Sequence, residues 1–196
     1  MNKMANKLKI WLTGGSLLIF LLGCYWAFSP GKITVYPNRP LVWKDFKQVP
    51  VINGNQGINA TCFSTTDFQI NRIYDEGEYK RIDLKATIAL LEDRTQVSLH
   101  FLKRADGDTK KQVLHHENGH FKIAQIIGRR IVQSVDRFLF DPANYRAQLD
   151  SIVRSHYGEW SRLDQEYDQE TTKPRNLEKQ REWDGWFKEE LTKLRQ

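Results

Sequence analysis

One pattern constrains this chain more than any other. Val113, Leu114, Phe121, Ala124, Ile127, Ile131, Val135, Phe138 and Leu139 recur at helical spacing until Asp141-Pro142 stops the run. The spacing predicts an amphipathic helix of roughly thirty residues. Asp106-Gly107-Asp108 reads as the turn before it. Thr109 with Gln112 fits a capping box, so the helix is expected to begin at Lys110. A stripe this long has to be covered, which points to a sheet packed against it.

Inside that helix lies His116-Glu117-x-x-His120. Residues four apart share a helix face, so both imidazoles point the same way and would hold one Zn²⁺ between them. Glu117 adjoins the first ligand and is placed to act as general base toward water activated by the metal. Gly119 sits between the ligands, where a glycine costs up to ~1 kcal/mol relative to alanine. Its missing side chain permits close approach of a strand or a substrate backbone. His115 points about 100° from His116 and reads as a surface or supporting residue.

The chain before the helix has strand periodicity. Ile33–Tyr36, Ile58–Phe63, Phe68–Tyr74, Arg81–Leu91 and Val97–Leu102 are the expected strands, with Asp75–Glu78 as a hairpin turn. His100, at a polar alternation of the last strand, is expected to face solvent. A second helix is expected from Asn144 to about Tyr167, and a charged third one from Asn176 to Leu194. The fold class expected is α+β: an N-terminal membrane segment, an antiparallel sheet, the long helix, then further packed helices.

Residues 1–31 read as a signal-anchor or lipoprotein signal, and 32–196 as one domain. Lys3, Lys7 and Lys9 precede an uncharged, mostly apolar run from Ile10 to Phe28, close to the ~20 residues that span a bilayer. Three processing outcomes fit: an uncleaved anchor, a lipoprotein signal at Leu21-Leu22-Gly23-Cys24, or a cleaved leader. All three put the body outside the cytoplasm, in the cell envelope. The formal net charge of +6 is spread over scattered lysines and arginines with no recognition motif, so nucleic acid is not an expected partner. Cys24 and Cys62 are the only cysteines, which excludes a disulfide within the body. Cys62 reads as a small buried apolar residue.

Three segments then carry a resemblance. Leu41-x-Trp43-x-Asp45-Phe46, Leu114-x-His116-Glu117-x-x-His120-Phe121-x-Ile123-Ala124, and Tyr167-Asp168-x-x-Thr171 with Gln180-x-x-Trp183 are similar, in order and spacing, to the motifs of the DUF922 family. These are bacterial, secreted or membrane-associated proteins predicted to be zinc-dependent proteases. The resemblance implies a zincin-like metalloprotease fold, Zn²⁺ as cofactor and a peptide or protein substrate.

One departure bears on the metal. The family pattern has His-Gly where this chain has Lys173-Pro174. A catalytic zinc takes three protein ligands plus water. Lys173 is protonated at neutral pH and is no substitute for a histidine. Asp168, at a fixed position of the family pattern, is the first candidate for third ligand, and Glu170 the runner-up. Tyr167 is either an oxyanion stabiliser or a packed residue with a satisfied hydroxyl. The expected function is therefore a membrane-tethered zinc peptidase. The alternatives are a catalytically inactive interaction module of the cell envelope and a zinc amidase acting on the cell wall.

Overall fold

Asp75-Glu76-Gly77-Glu78 turns the chain back on itself. Gly77 takes φ 81°, the left-handed region that side chains disfavour, and its N–H donates to Asp75 Oδ1 at 3.1 Å. The turn joins β4 (Ser64–Asp75) to β5 (Lys80–Leu90), an antiparallel hairpin in register from Asp75↔Lys80 to Ser64↔Leu90. This is the expected hairpin, with longer strands. The computed structural model describes residues 33–55, 57–172 and 176–194.

The class is α+β, but the expected single antiparallel sheet is corrected. β1 (Ile33–Tyr36) pairs parallel to β5, giving a mixed sheet of order β1-β5-β4. A second mixed sheet has the order β2-β6-β3, from β2 (Lys47–Val49), β3 (Ala60–Thr61) and β6 (Gln96–Ser98), with β2 parallel and β3 antiparallel to β6. Period-two alternation tells which face a residue takes; it does not tell which strand lies alongside or in which direction. The strand expected over Val97–Leu102 stops at Ser98. The Ser98 hydroxyl accepts from Phe101 N–H at 3.4 Å and caps α1 (Leu99–Arg104). His100 is exposed, as expected, but on a helix.

The long helix is α2, Gly107–Arg137. It begins earlier than expected because Asp106 caps it, accepting from the Thr109 N–H at 2.7 Å and the Thr109 hydroxyl at 2.9 Å. α2 is also covered on more than one side. Ile123, Ile126, Ile127, Ile131 and Val135 join one core with Phe68, Ile82 and Leu84 of the hairpin. The same core takes in residues of α3 (Tyr145–Thr172) and α4 (Leu177–Lys193), including Leu163, Tyr167, Trp183 and Phe187. Phe138 and Leu139, counted in the stripe, lie past the helix end and are exposed.

α3 runs five residues beyond the expected Tyr167, to Thr172. Nothing breaks the helix before Pro174, and a proline restricts the residue ahead of it. That extension places Asp168, Glu170 and Thr171 on a helix facing α2. Lys173 and Pro174 lie outside the described residues, as does the apolar run Ile10–Phe28. Among the described residues, no helix is long and apolar enough to cross a membrane.

Candidate metal centre

α2 and α3 pack side by side, and their contact is closest where α2 has no side chain. A Cβ at Gly119 would overlap the phenol oxygen of Tyr167 and lie 2.6 Å from its Cε1. So the group that uses the gap at Gly119 is Tyr167, rather than a strand or a substrate. Its ring stacks on His116, with centroids 4.8 Å apart and planes 8° apart. It meets His120 edge-on at 5.1 Å.

From this base the site is built by three donors. His116 Nε2 and His120 Nε2 are 3.2 Å apart. Asp168 Oδ1, from α3, lies 3.1 Å from the first and 3.2 Å from the second. Among the described residues these three form the one cluster of histidine, cysteine or carboxylate groups able to share an ion. Zinc bonds of about 2.0–2.1 Å in a tetrahedron separate neighbouring ligands by roughly 3.3 Å. The triangle therefore has the size of one face of a zinc tetrahedron, and all three donors line one cleft.

The partners behind each imidazole fix its tautomer. Thr171 Oγ1 donates to the Tyr167 carbonyl at 2.6 Å, so toward His116 Nδ1, 3.0 Å away, it can only accept. His116 then carries its proton on Nδ1 and leaves Nε2 free. His120 Nδ1 lies 2.8 Å from Asp164 Oδ1, a carboxylate that can only accept, so its Nε2 is free as well. Two free Nε2 lone pairs facing each other at this distance repel unless a proton or a cation lies between them. A carboxylate or hydroxyl behind each ligating histidine is the support that metal sites use to orient imidazoles.

The electrostatics agree. Burial disfavours charge on His120, but hydrogen bonds with Asp164 and Asp168 outweigh it and push its pKa up to about 10. Burial would also raise Asp168, yet its hydrogen bonds with His116 and His120 hold the carboxyl well below the usual range. In the metal-free protein, a positive charge is thus held among these carboxylates.

Glu117 is only 5% exposed. Burial pushes its pKa up, opposed by both histidines and the Cys62 amide. It lines, with the triad, a cleft of about 1220 Å³ bounded by α2, α3, α4 and the segment around β3. A buried carboxylate of raised pKa beside such a donor set can accept and return a proton. Cys62 lines the same cleft and is half-buried; burial, Glu117 and Asp164 keep its thiol protonated, so it is no nucleophile.

Other expectations are settled by contacts. Tyr167 is fully buried, and its hydroxyl lies 3.1 Å from the His116 carbonyl and 3.0 Å from Gln180 Oε1, both acceptors. It is a packed support, which corrects the oxyanion role. Glu170 points away from the cluster and accepts from Trp183 Nε1 at 2.8 Å, so the runner-up ligand is withdrawn. His115 faces Asp184 of α4 at 2.8 Å, outside the triad, as a surface residue should. Asp164, already inside the expected helix, went unrecognised because only the packing of α3 on α2 shows that it faces His120. Asn118 was also missed. Its side chain accepts from Leu41 N–H at 2.7 Å and donates to the Leu41 carbonyl at 3.2 Å, tying the Leu41–Phe46 motif to α2.

The sequence model of the DUF922 family, described as a bacterial protein of unknown function, matches residues 47–175. That stretch holds the hairpin, α2, α3 and the whole donor set. No curated protein and no solved structure matches the chain.

Two measurements test this geometry. Gly119→Ala is expected to destabilise the fold by about 2–3 kcal/mol, because the clash with a rigid buried ring exceeds the ~1 kcal/mol helix gain of alanine. An unchanged urea midpoint would contradict the packing of Tyr167 on Gly119. Asp164→Asn keeps the shape but removes the charge behind His120. Chelator competition should show zinc affinity reduced about 10–100-fold.

Proposed function

The chain belongs to the DUF922 family, and from that premise we propose that it is a zinc-dependent peptidase of zincin-like fold, tethered to the membrane and acting outside the cytoplasm. The observation that carries the proposal is the convergence of His116 Nε2, His120 Nε2 and Asp168 Oδ1 on one point, beside the buried carboxylate of Glu117. The tethered, extracytoplasmic part rests on the uncharged run Ile10–Phe28 behind its lysines.

Zinc held by these residues would supply a Lewis acid and a water acidic enough to lose its proton near neutral pH. Glu117 would be the group that accepts a proton from water and hands it to the leaving amine. Its raised pKa makes the carboxylate a stronger base for the first half and leaves more of it protonated for the second. Asp164 and Thr171 keep the imidazoles turned inward. Tyr167 keeps α3, and so Asp168, at bonding distance from α2.

A peptide suits the cleft because β3 is an edge strand of its sheet, order β2-β6-β3, and lines the cleft. An extended chain can add to such an edge through backbone hydrogen bonds. The reading as an inactive interaction module rested on Lys173 replacing a ligand. Asp168 offers a third donor that does not need residue 173, which favours the enzyme.

The full chain should bind about one zinc by elemental analysis. Glu117→Gln should retain that zinc and lose peptide cleavage by at least about a hundredfold; undiminished cleavage would falsify the assignment of the base. Zinc affinity should also depend on pH. With its pKa at about 10, metal-free His120 holds a proton that zinc has to displace. Apparent affinity is therefore expected to rise with pH, by up to about tenfold per unit, until pH approaches about 10. The metal-free fold behaves oppositely. The His120 charge contributes its full stability below the unfolded value of 6.5, and this is lost as pH rises through about 10. Calorimetric titrations at several pH values giving one affinity would contradict the proton-held site.

A further inference from the structure

The cleft has two chemically different ends. α2 and α3 run antiparallel, as their contacts show: His116 faces Thr171, His120 faces Asp164, and Arg130 pairs with Glu159. α4 runs parallel to α2, with His115 and Lys122 on Asp184 and Arg130 on Glu190. On α3, Trp160 precedes Asp168 by eight positions, about 12 Å along the axis. There it stacks on Tyr157 at 5.7 Å, and both line the cleft. That end is aromatic.

The opposite end is cationic. Lys111 lies one turn before His115 on α2, and Arg181 one turn before Asp184 on α4. Since His115 and Asp184 touch, the two cations share that end, and both line the cleft. Arg181 is exposed and has no ion-pair partner among the described residues. Lys111 meets only Asp108, at 3.3 Å, with both side chains more than 80% exposed, a pairing that contributes little. Of the acids on α4 near Arg181, Asp184 is engaged by His115 and Lys122, and Glu182 by Lys179. Two uncompensated cations at the mouth of a cleft attract an anionic group.

We propose that Lys111 and Arg181 form a recognition site for a carboxylate side chain of the bound peptide. Lys111 lies five positions from His116, about 7–8 Å along the helix. An extended peptide advances about 3.3 Å per residue. The acidic residue therefore sits roughly two positions from the bond at the metal centre, with bulky apolar residues on the Trp160 side. Only the identity of the ligand as a peptide rests on the peptidase reading.

The test is binding, measured on the zinc-loaded full chain carrying Glu117→Gln. Fluorescence anisotropy would compare labelled peptides that differ only in Asp or Lys at one position, scanned along the sequence. At the matching position the Asp peptide is expected to bind about tenfold tighter, by a margin that shrinks as salt is raised. Adding Lys111→Glu with Arg181→Glu should reverse the order, and alanine at both should abolish the preference. These are exposed positions, so the fold is retained. Equal affinities, or an order that survives the reversal, overturn the proposal. The two readings fail separately: a charge order that reverses, in a chain that cleaves no peptide, sinks the peptidase and leaves this site. Glu117-dependent cleavage with no charge order does the converse.

Discussion

Everything at the centre depends on one contact, the ring of Tyr167 on the bare backbone of Gly119. Two ordinary helices pack with axes about 8–10 Å apart. A carboxylate on a side chain as short as aspartate's reaches the neighbouring helix only when the approach is close. The glycine gives that approach, and the phenol fixes it by donating toward the His116 carbonyl and Gln180. α4 takes part through the same residues, since Gln180 reaches Tyr167 and Trp183 reaches Glu170. The motif residues around Tyr167 and Gln180 thus shape the His116–His120–Asp168 cluster without touching its donor atoms.

The polar groups of the site are individually expensive to bury and are satisfied as a set. Each imidazole has one nitrogen turned to a fixed partner and the other to the shared point. Asp164 holds His120, and Asp168 meets both histidines. Removing one member leaves another buried and unmatched, so the network is cooperative. Glu117 is the exception. It is buried with no strong partner of opposite charge other than the two histidines, and its raised pKa follows from that isolation.

Much of this was legible in the residues. The helical period of α2 carries His116, Glu117 and His120 to one region, and a glycine turn in a run of alternating residues predicts the β4–β5 hairpin. Asp168 was reachable as a candidate because it stands at a fixed position of the family pattern. What stayed hidden depends on how one helix is set against another. Asp164, the accepting role of Thr171 and the partner of Gly119 all follow from the α2–α3 register. That register is decided by packing between residues some fifty positions apart. The parallel strand pairs were hidden for the same reason, since alternation carries no information about a strand's neighbour. The α3 extension was lost by ending the helix at its last apolar residue rather than at the proline.

The clamp between Asn118 and Leu41 has a consequence for where the folded unit begins. Leu41 is 2% exposed, and both its backbone groups are held by a side chain that stands between His116 and His120. The family match opens at residue 47, but a chain cut there would leave the Asn118 amide with only its bond to the Leu114 carbonyl and the pocket around Leu41 empty. The natural border of the body therefore lies upstream of Leu41. Between the N-terminal segment and this clamp stands β1, paired along β5, so tension from that side falls first on the sheet and not on α2.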